Sequence, residues 1–254
     1  IGTFLRICFV SGLIFVFSSG HSQRVLLEED VNADTVVPSF GPNRKVFRHF
    51  FGGIGFVAGK NNMGGEIKYG YSKEFYGGLR YKFRVSNFYA LGFDIGWRNI
   101  NYTLKQSAEK ILPNSVSHKK EHLSFNVAFI DFYNRFNFGR RGNYVGKFLD
   151  LGARANWAFN VVHFAKDTMS VPNFIIISQG KTTVPYNIVK TRTSRLHYTE
   201  RFFFDAFLRV GFNRYVFFVT YRFSDLFKPI WITPMRHYPD LPLFIIGMEV
   251  GLHK

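Results

Sequence analysis

His118-Lys119-Lys120-Glu121-His122 is the string in this chain closest to a metal site. It has the His-x-x-Glu-His order of one class of zinc protease, in which both histidines hold the metal and the glutamate moves a proton. That chemistry needs a helix to bring the histidines to one face. Here the string follows Pro113-Asn114 and runs into alternating residues from Leu123, so it reads as a polar loop, and two lysines oppose a cation. Gly53-Ile54-Gly55-Phe56-Val57-Ala58 has the letters of a dinucleotide fingerprint, but the period stays at two and no helix follows. Glycines that let a curved strand bend explain it better. His122-Leu123-Ser124 would place a histidine and a serine on one strand face, the start of an esterase. Glu121 then points away, and nothing nearby offers an oxyanion hole. The expectation is therefore no catalytic residue, no cofactor and no metal, with a membrane-embedded esterase as a distant alternative.

The elements that would position such residues are strands. The chain has 254 residues, 46% hydrophobic and 19% aromatic, with 32 Phe and 13 Tyr, more than a soluble core of this size requires. Aromatic residues favour strands. Mean hydropathy is only -0.04, so apolar and polar residues must be interleaved. A membrane helix needs ~20 consecutive apolar residues, and nothing past the N-terminus supplies them. A transmembrane barrel conceals its hydrophobicity in alternation instead.

The first 22 residues read as a signal peptide: Arg6, then the apolar run Ile7 to Phe17, then small residues at Gly20 and Ser22 before Gln23. The first residue is Ile in place of an initiating Met, which implies earlier residues. The single cysteine, Cys8, falls inside this leader, and Arg-Ile-Cys is a poor lipidation box. Residues 23–45 carry Glu28, Glu29, Asp30 and Asp34 with Pro38 and Gly41-Pro42, and show no period. They read as a periplasmic segment ahead of a domain spanning 46–254.

Eight alternating runs follow, at Ile54 to Ala58, Phe75 to Val85, Tyr89 to Trp97, Leu123 to Phe129, Leu149 to Val161, Phe202 to Phe212, Tyr215 to Phe223 and Phe244 to Leu252. In each, one face is apolar and uncharged while the other mixes glycine with charge. A lipocalin-like soluble barrel would carry the opposite faces inside and out. From Tyr89 to Trp97 the apolar face extends ~26 Å, or ~20 Å once tilted, close to the band a barrel shows to lipid. Short turns at Ser86-Asn87, Gly139 to Asn143 and Asn213-Arg214 alternate with long connections at Lys60 to Ser72, Leu104 to Glu121, His163 to Leu196 and Ser224 to Leu241. The fold expected is all-β: a transmembrane antiparallel up-and-down barrel of about eight strands, with short periplasmic turns and long external loops.

This grammar, the leader ending in Ser-Gln and the final Gly247-Met248-Glu249-Val250-Gly251-Leu252 resemble the small outer-membrane barrels of the PorT-like and OmpA/OmpX-like group. The resemblance covers Val46 to Lys254, although His253-Lys254 replaces the terminal aromatic common there. It implies a bacterial outer-membrane location and a structural or interaction role in the cell envelope. Some PorT-like proteins assist secretion across the outer membrane.

Eight strands leave an interior about wide enough for side chains alone. A plugged lumen is therefore expected, with a narrow pore for small solutes as the alternative. Turn registers set its ion pairs: Arg80 opposite Asp94, Arg135 opposite Asp150, Asp131 opposite Arg154 and Asp205 opposite Arg222, with Glu249 joining from the last strand. Bringing Asp131 and Arg135 inside requires a bulge near Phe129-Ile130 if Leu123 to Phe129 face lipid. The net charge of +16 with many aromatics could signal nucleic acid, but part of it lies on the glycine-rich faces and the rest in loops. Basic external loops suit outer-membrane lipid and the phosphates of lipopolysaccharide, with Lys119 and Lys120 as the expected contacts.

Overall fold

The computed structural model describes residues 44–138, 144–170, 176–178, 181–183, 186–229 and 238–253. The expected leader at 1–22, residues 23–43 of the expected periplasmic segment and the turn Gly139 to Asn143 lie outside the described residues. The strands are β1 (Val46–Ala58), β2 (Lys73–Arg84), β3 (Tyr89–Thr103), β4 (Lys120–Phe138), β5 (Lys147–Ser170), β6 (Ile176–Ser178), β7 (Lys181–Thr183), β8 (Tyr186–Ser194), β9 (Phe202–Phe212), β10 (Tyr215–Arg222) and β11 (Phe244–Leu252). Pairing is antiparallel from β1 through β5, then from β5 to β9, β10 and β11, and β11 pairs back with β1. Eight strands thus close a ring. A ninth, β8, runs along the edge of β5 beyond the end of β9, and β6 pairs with β7 in a separate hairpin.

Tight turns set the registers. The Val85 N–H donates to Tyr89 O at 3.1 Å, and Ser86 Oγ accepts from the Tyr89 N–H at 3.0 Å, closing the three-residue loop expected between β2 and β3. Between β9 and β10, Phe212 stands opposite Tyr215. Asn213 takes the left-handed conformation there (φ 57°), which Asn tolerates better than most residues. Alternation then sorts side chains to the two faces of the ring. Phe50, Phe75, Trp97, Trp157, Phe204 and Phe217 are exposed outside, while Glu74, Arg80, Asp94, Arg98 and Asp205 are buried inside. Inward glycines admit rings from neighbouring strands: a Cβ on Gly211 would stand 2.0 Å from the Phe148 ring.

Two sequence expectations change. The expected outward set Leu123, Phe125, Val127 and Phe129 faces inward and is fully buried, as are Asp131 and Arg135 on the same face. Strand β4 therefore alternates without interruption, and pairing is regular through Phe129-Ile130 on both sides. The bulge falls on β5 instead. Asn126 faces Asn160 while Val127 faces Ala158, leaving Phe159 as the extra residue. Val161 turns inward as a result, against its expected outward position. The reason is that the interior is not polar throughout. Toward the long-connection end it is an apolar core including Ile100, Tyr102, Leu123, Phe125, Phe203 and Ile245, so an uncharged face does not mark the outside. The connection expected from His163 to Leu196 is also partly strand, because β5 continues to Ser170 and β8 pairs with it.

Candidate functional site

The ring interior holds six arginines (Arg80, Arg98, Arg135, Arg154, Arg209, Arg222), Lys82 and six carboxylates (Glu74, Asp94, Asp131, Asp150, Asp205, Glu249), all buried. Each comes from an inward position of its strand, and the ring holds acids and bases at the same level.

Arg80 is the most heavily used. Its Nε lies 3.0 Å from Asp94 Oδ1 and its Nη2 2.9 Å from Asp94 Oδ2. On its other side Nη1 donates to Glu249 Oε1 at 2.5 Å and Nη2 to Oε2 at 3.0 Å. Tyr76 adds its hydroxyl to Glu249 Oε2 at 2.9 Å. Arg135 grips Asp150 with two parallel bonds of 2.7 and 2.8 Å, and Arg154 grips Asp131 in the same way at 2.6 and 2.8 Å. Such forked pairs are the strongest and most directional that side chains make. Arg209 stands among the acids, donating to Asp94 at 2.6 Å with Asp150 3.6 Å and Asp131 3.8 Å away. Aromatic rings pack the guanidinium faces: Phe148 is 3.6 Å from Arg135, and Phe207 is 4.2 Å from Arg209.

The expected pairs Arg80–Asp94, Arg135–Asp150 and Asp131–Arg154 are thus brought together, and Glu249 has Arg80 as its partner. Asp205 and Arg222 are opposite in register, but their side chains part. Asp205 accepts from Arg98 Nη1 at 2.5 Å and from Asn156 Nδ2 at 3.0 Å, while Arg222 turns toward the long connections and donates to Leu241 O at 2.7 Å. Opposed Cα atoms only permit a pair, and Arg98 reaches Asp205 from across the ring. Sequence reasoning missed the parts played by Arg98, Arg209 and Glu74. Their inward parity was legible in the alternation, but their partners were not, because Arg209 meets Asp94 and Arg98 meets Asp205 between strands that do not pair.

The long-connection end is capped. Glu121 is fully buried and accepts from Lys110 Nζ at 2.6 Å, Gln106 Nε2 at 2.7 Å and His163 Nε2 at 2.7 Å. These bonds tie the 104–119 connection, with buried Leu104 and Leu112, over the mouth. Asp240, in the connection after β10, also lies at this end; burial raises its carboxyl above the usual range. The histidines of the zinc-like string go separate ways: His118 Nδ1 meets Asp167 at 2.7 Å, and His122 stacks on Phe164. No group of three or more metal-ligating side chains occurs among the described residues. Lys119 and Lys120 are exposed at this same end, the Lys119 N–H bonded to Asp167 at 3.2 Å.

Each of the six carboxylates is ion-paired with an arginine. These acids are held by guanidinium groups that do not deprotonate at working pH, so they are poor candidates for moving protons. An interior cavity beside Arg98, Asp205 and Arg222 measures about 10 Å³, room for about one water. The arrangement can fill and stiffen the ring. No family model matches the chain, and no curated protein matches it.

Proposed function

We propose that this chain is a β-barrel of the bacterial outer membrane, closed by its own side chains, that acts as a structural or interaction component of the cell envelope. The observation that carries this reading is the sorting of residues by face. All eight ring strands expose large apolar side chains outward, among them Phe50, Phe75, Trp97, Phe132, Trp157, Phe204, Phe217 and Ile246, while the charges at these levels point in. A water-soluble protein rarely exposes apolar surface on this scale. Hydrocarbon favours it, and a closed ring satisfies the backbone hydrogen bonds that lipid cannot. At the long-connection end the outward face turns polar, with Asn99 donating to Ser124 and Asn126 at 3.0 Å each, as suits the edge of an apolar band. A lumen of eight strands packed with ion pairs and rings favours a closed interior over a solute path.

Folding the chain into phospholipid vesicles tests this. The expected result is a heat-modifiable band on gels, protease-protected strands and conductance at the baseline of empty bilayers. A chain that stays in the aqueous phase overturns the membrane reading, and robust conductance moves the assignment to a narrow pore. The resemblance to PorT-like barrels supports a narrower proposal, that the protein assists an outer-membrane secretion or assembly complex. Cross-linking in native membranes followed by co-purification should then recover envelope proteins. Recovery of the barrel alone would remove that part.

A further inference from the structure

On the outer surface, strand β5 changes partner. Its ladder with β9 ends at Trp157 opposite Phe202, and its ladder with β8 begins at Val162 opposite Ser194. Residues 159–161 have no ladder pair on that edge, although the Ala158 N–H still donates to Arg201 O at 2.7 Å. A cavity of about 220 Å³ opens at this seam, lined on its polar side by Arg195, His197, Thr199, Arg201 and Lys228. A bend at Arg195 and a turn at His197-Tyr198 gather these residues at the seam. Tyr198, between them, packs against the core instead. Arg195 adopts the left-handed conformation (φ 59°) as the chain leaves β8. An isolated bridge between Thr199 and Phe227, with the Lys228 N–H donating to Tyr198 O at 2.8 Å, holds Lys228 beside the segment.

Each buried carboxylate of the ring faces a cation, yet these cations have no acid. Among the described residues, the side chains of Arg195, Arg201 and Lys228 make no ion pair or hydrogen bond. Directly alongside, Trp157, Phe159 and Phe202 are 49%, 50% and 65% exposed on the outward face. Unpaired cations above exposed rings are complementary to an anion that carries hydrocarbon.

We propose that the seam binds the phosphate of an anionic lipid headgroup in the outer leaflet, with Arg195, Arg201 and Lys228 on the phosphate oxygens and the three rings against the acyl chains. This rests on the membrane reading above, and it moves the lipid contact from Lys119 and Lys120 to the seam. Free phosphate has the same headgroup chemistry but leaves the rings unused.

The full chain, folded in zwitterionic detergent, is titrated calorimetrically with dihexanoyl phosphatidic acid, dihexanoyl phosphatidylcholine and inorganic phosphate. The phosphatidic acid should bind about tenfold more tightly than either of the others, and Arg201→Gln with Lys228→Gln should weaken it about tenfold. Raising salt to about 1 M, where screening shortens to about 3 Å, should weaken it as well. A Lys119→Glu/Lys120→Glu variant should bind as the parent does. Inorganic phosphate binding as tightly as the phosphatidic acid overturns the lipid assignment. So does an Arg201→Gln/Lys228→Gln protein that binds like the parent, or a loss that follows Lys119 and Lys120. Vesicle insertion of parent and variants is scored separately. If the parent fails to insert, the envelope reading falls and takes this one with it; if all insert and the seam variant binds normally, the seam alone falls.

Discussion

Arg80 spends its guanidinium donors on two acids from two strands, so the value of each acid depends on the other. Removing one member of a buried ionic group leaves the rest uncompensated, at about 3–5 kcal/mol. Asp94→Asn strips charge from both Arg80 and Arg209, and should lower the unfolding free energy of the vesicle-folded protein, read by urea titration, by that amount. Arg222→Met is the control. It removes a hydrogen bond to Leu241 O but no ion pair, so a smaller loss of about 1–2 kcal/mol is expected. Equal losses would show that pairing is not what stabilises the interior. At this scale the sequence was informative only between neighbours. The loop at Ser86 to Phe88 fixes Val85 against Tyr89, and counting along the strands delivers Arg80 to Asp94. Contacts across the ring, such as Arg98 with Asp205, depend on how far the strands stagger on closure, and no turn states that.

Strand β5 shows where alternation misleads. Its outward odd residues run from Leu149 to Phe159, and then Val161, His163 and Ala165 turn inward. Asp131 and Arg135 demand a bulge on β4 only on the premise that apolar means outside, and Leu123 to Phe129 break that premise by filling the upper interior. The extra residue has a testable consequence. Deleting Phe159 leaves Ala158 in, Asn160 out and Val161 in, restoring plain alternation without disturbing the β4 register on either side. That variant should still insert and show the heat-modifiable band. Deleting Ala155, paired regularly with Ile130 and Phe204, instead shifts every following side chain to the wrong face and should abolish insertion. A Phe159 deletion as damaging as the Ala155 deletion would mean that the bulge is required for closure.

The whole molecule carries +16, and the ring interior, with six arginines, Lys82 and six carboxylates, nearly cancels, so most of the excess lies elsewhere, at the two ends and in the connections. Buried pairs are screened far less than exposed ones, so stability of the inserted protein should change little between about 0.1 and 1 M salt. A steep fall in the unfolding midpoint over that range would place the stabilising charges on the surface. The ring, its closure and its face assignment for most strands follow from alternation and turn lengths. The cap over the mouth does not, because Glu121, Lys110, Gln106 and His163 come from segments with no shared period. Cancellation inside the ring also bears on electrical work. A voltage across the membrane exerts about 2.3 kcal/mol per elementary charge for each 100 mV traversed. Guanidinium groups bolted to carboxylates offer it opposing loads, so a field that pulls Arg80 outward pushes Asp94 and Glu249 inward. This set of side chains should therefore be indifferent to polarity, a stopper that neither sign of potential can draw.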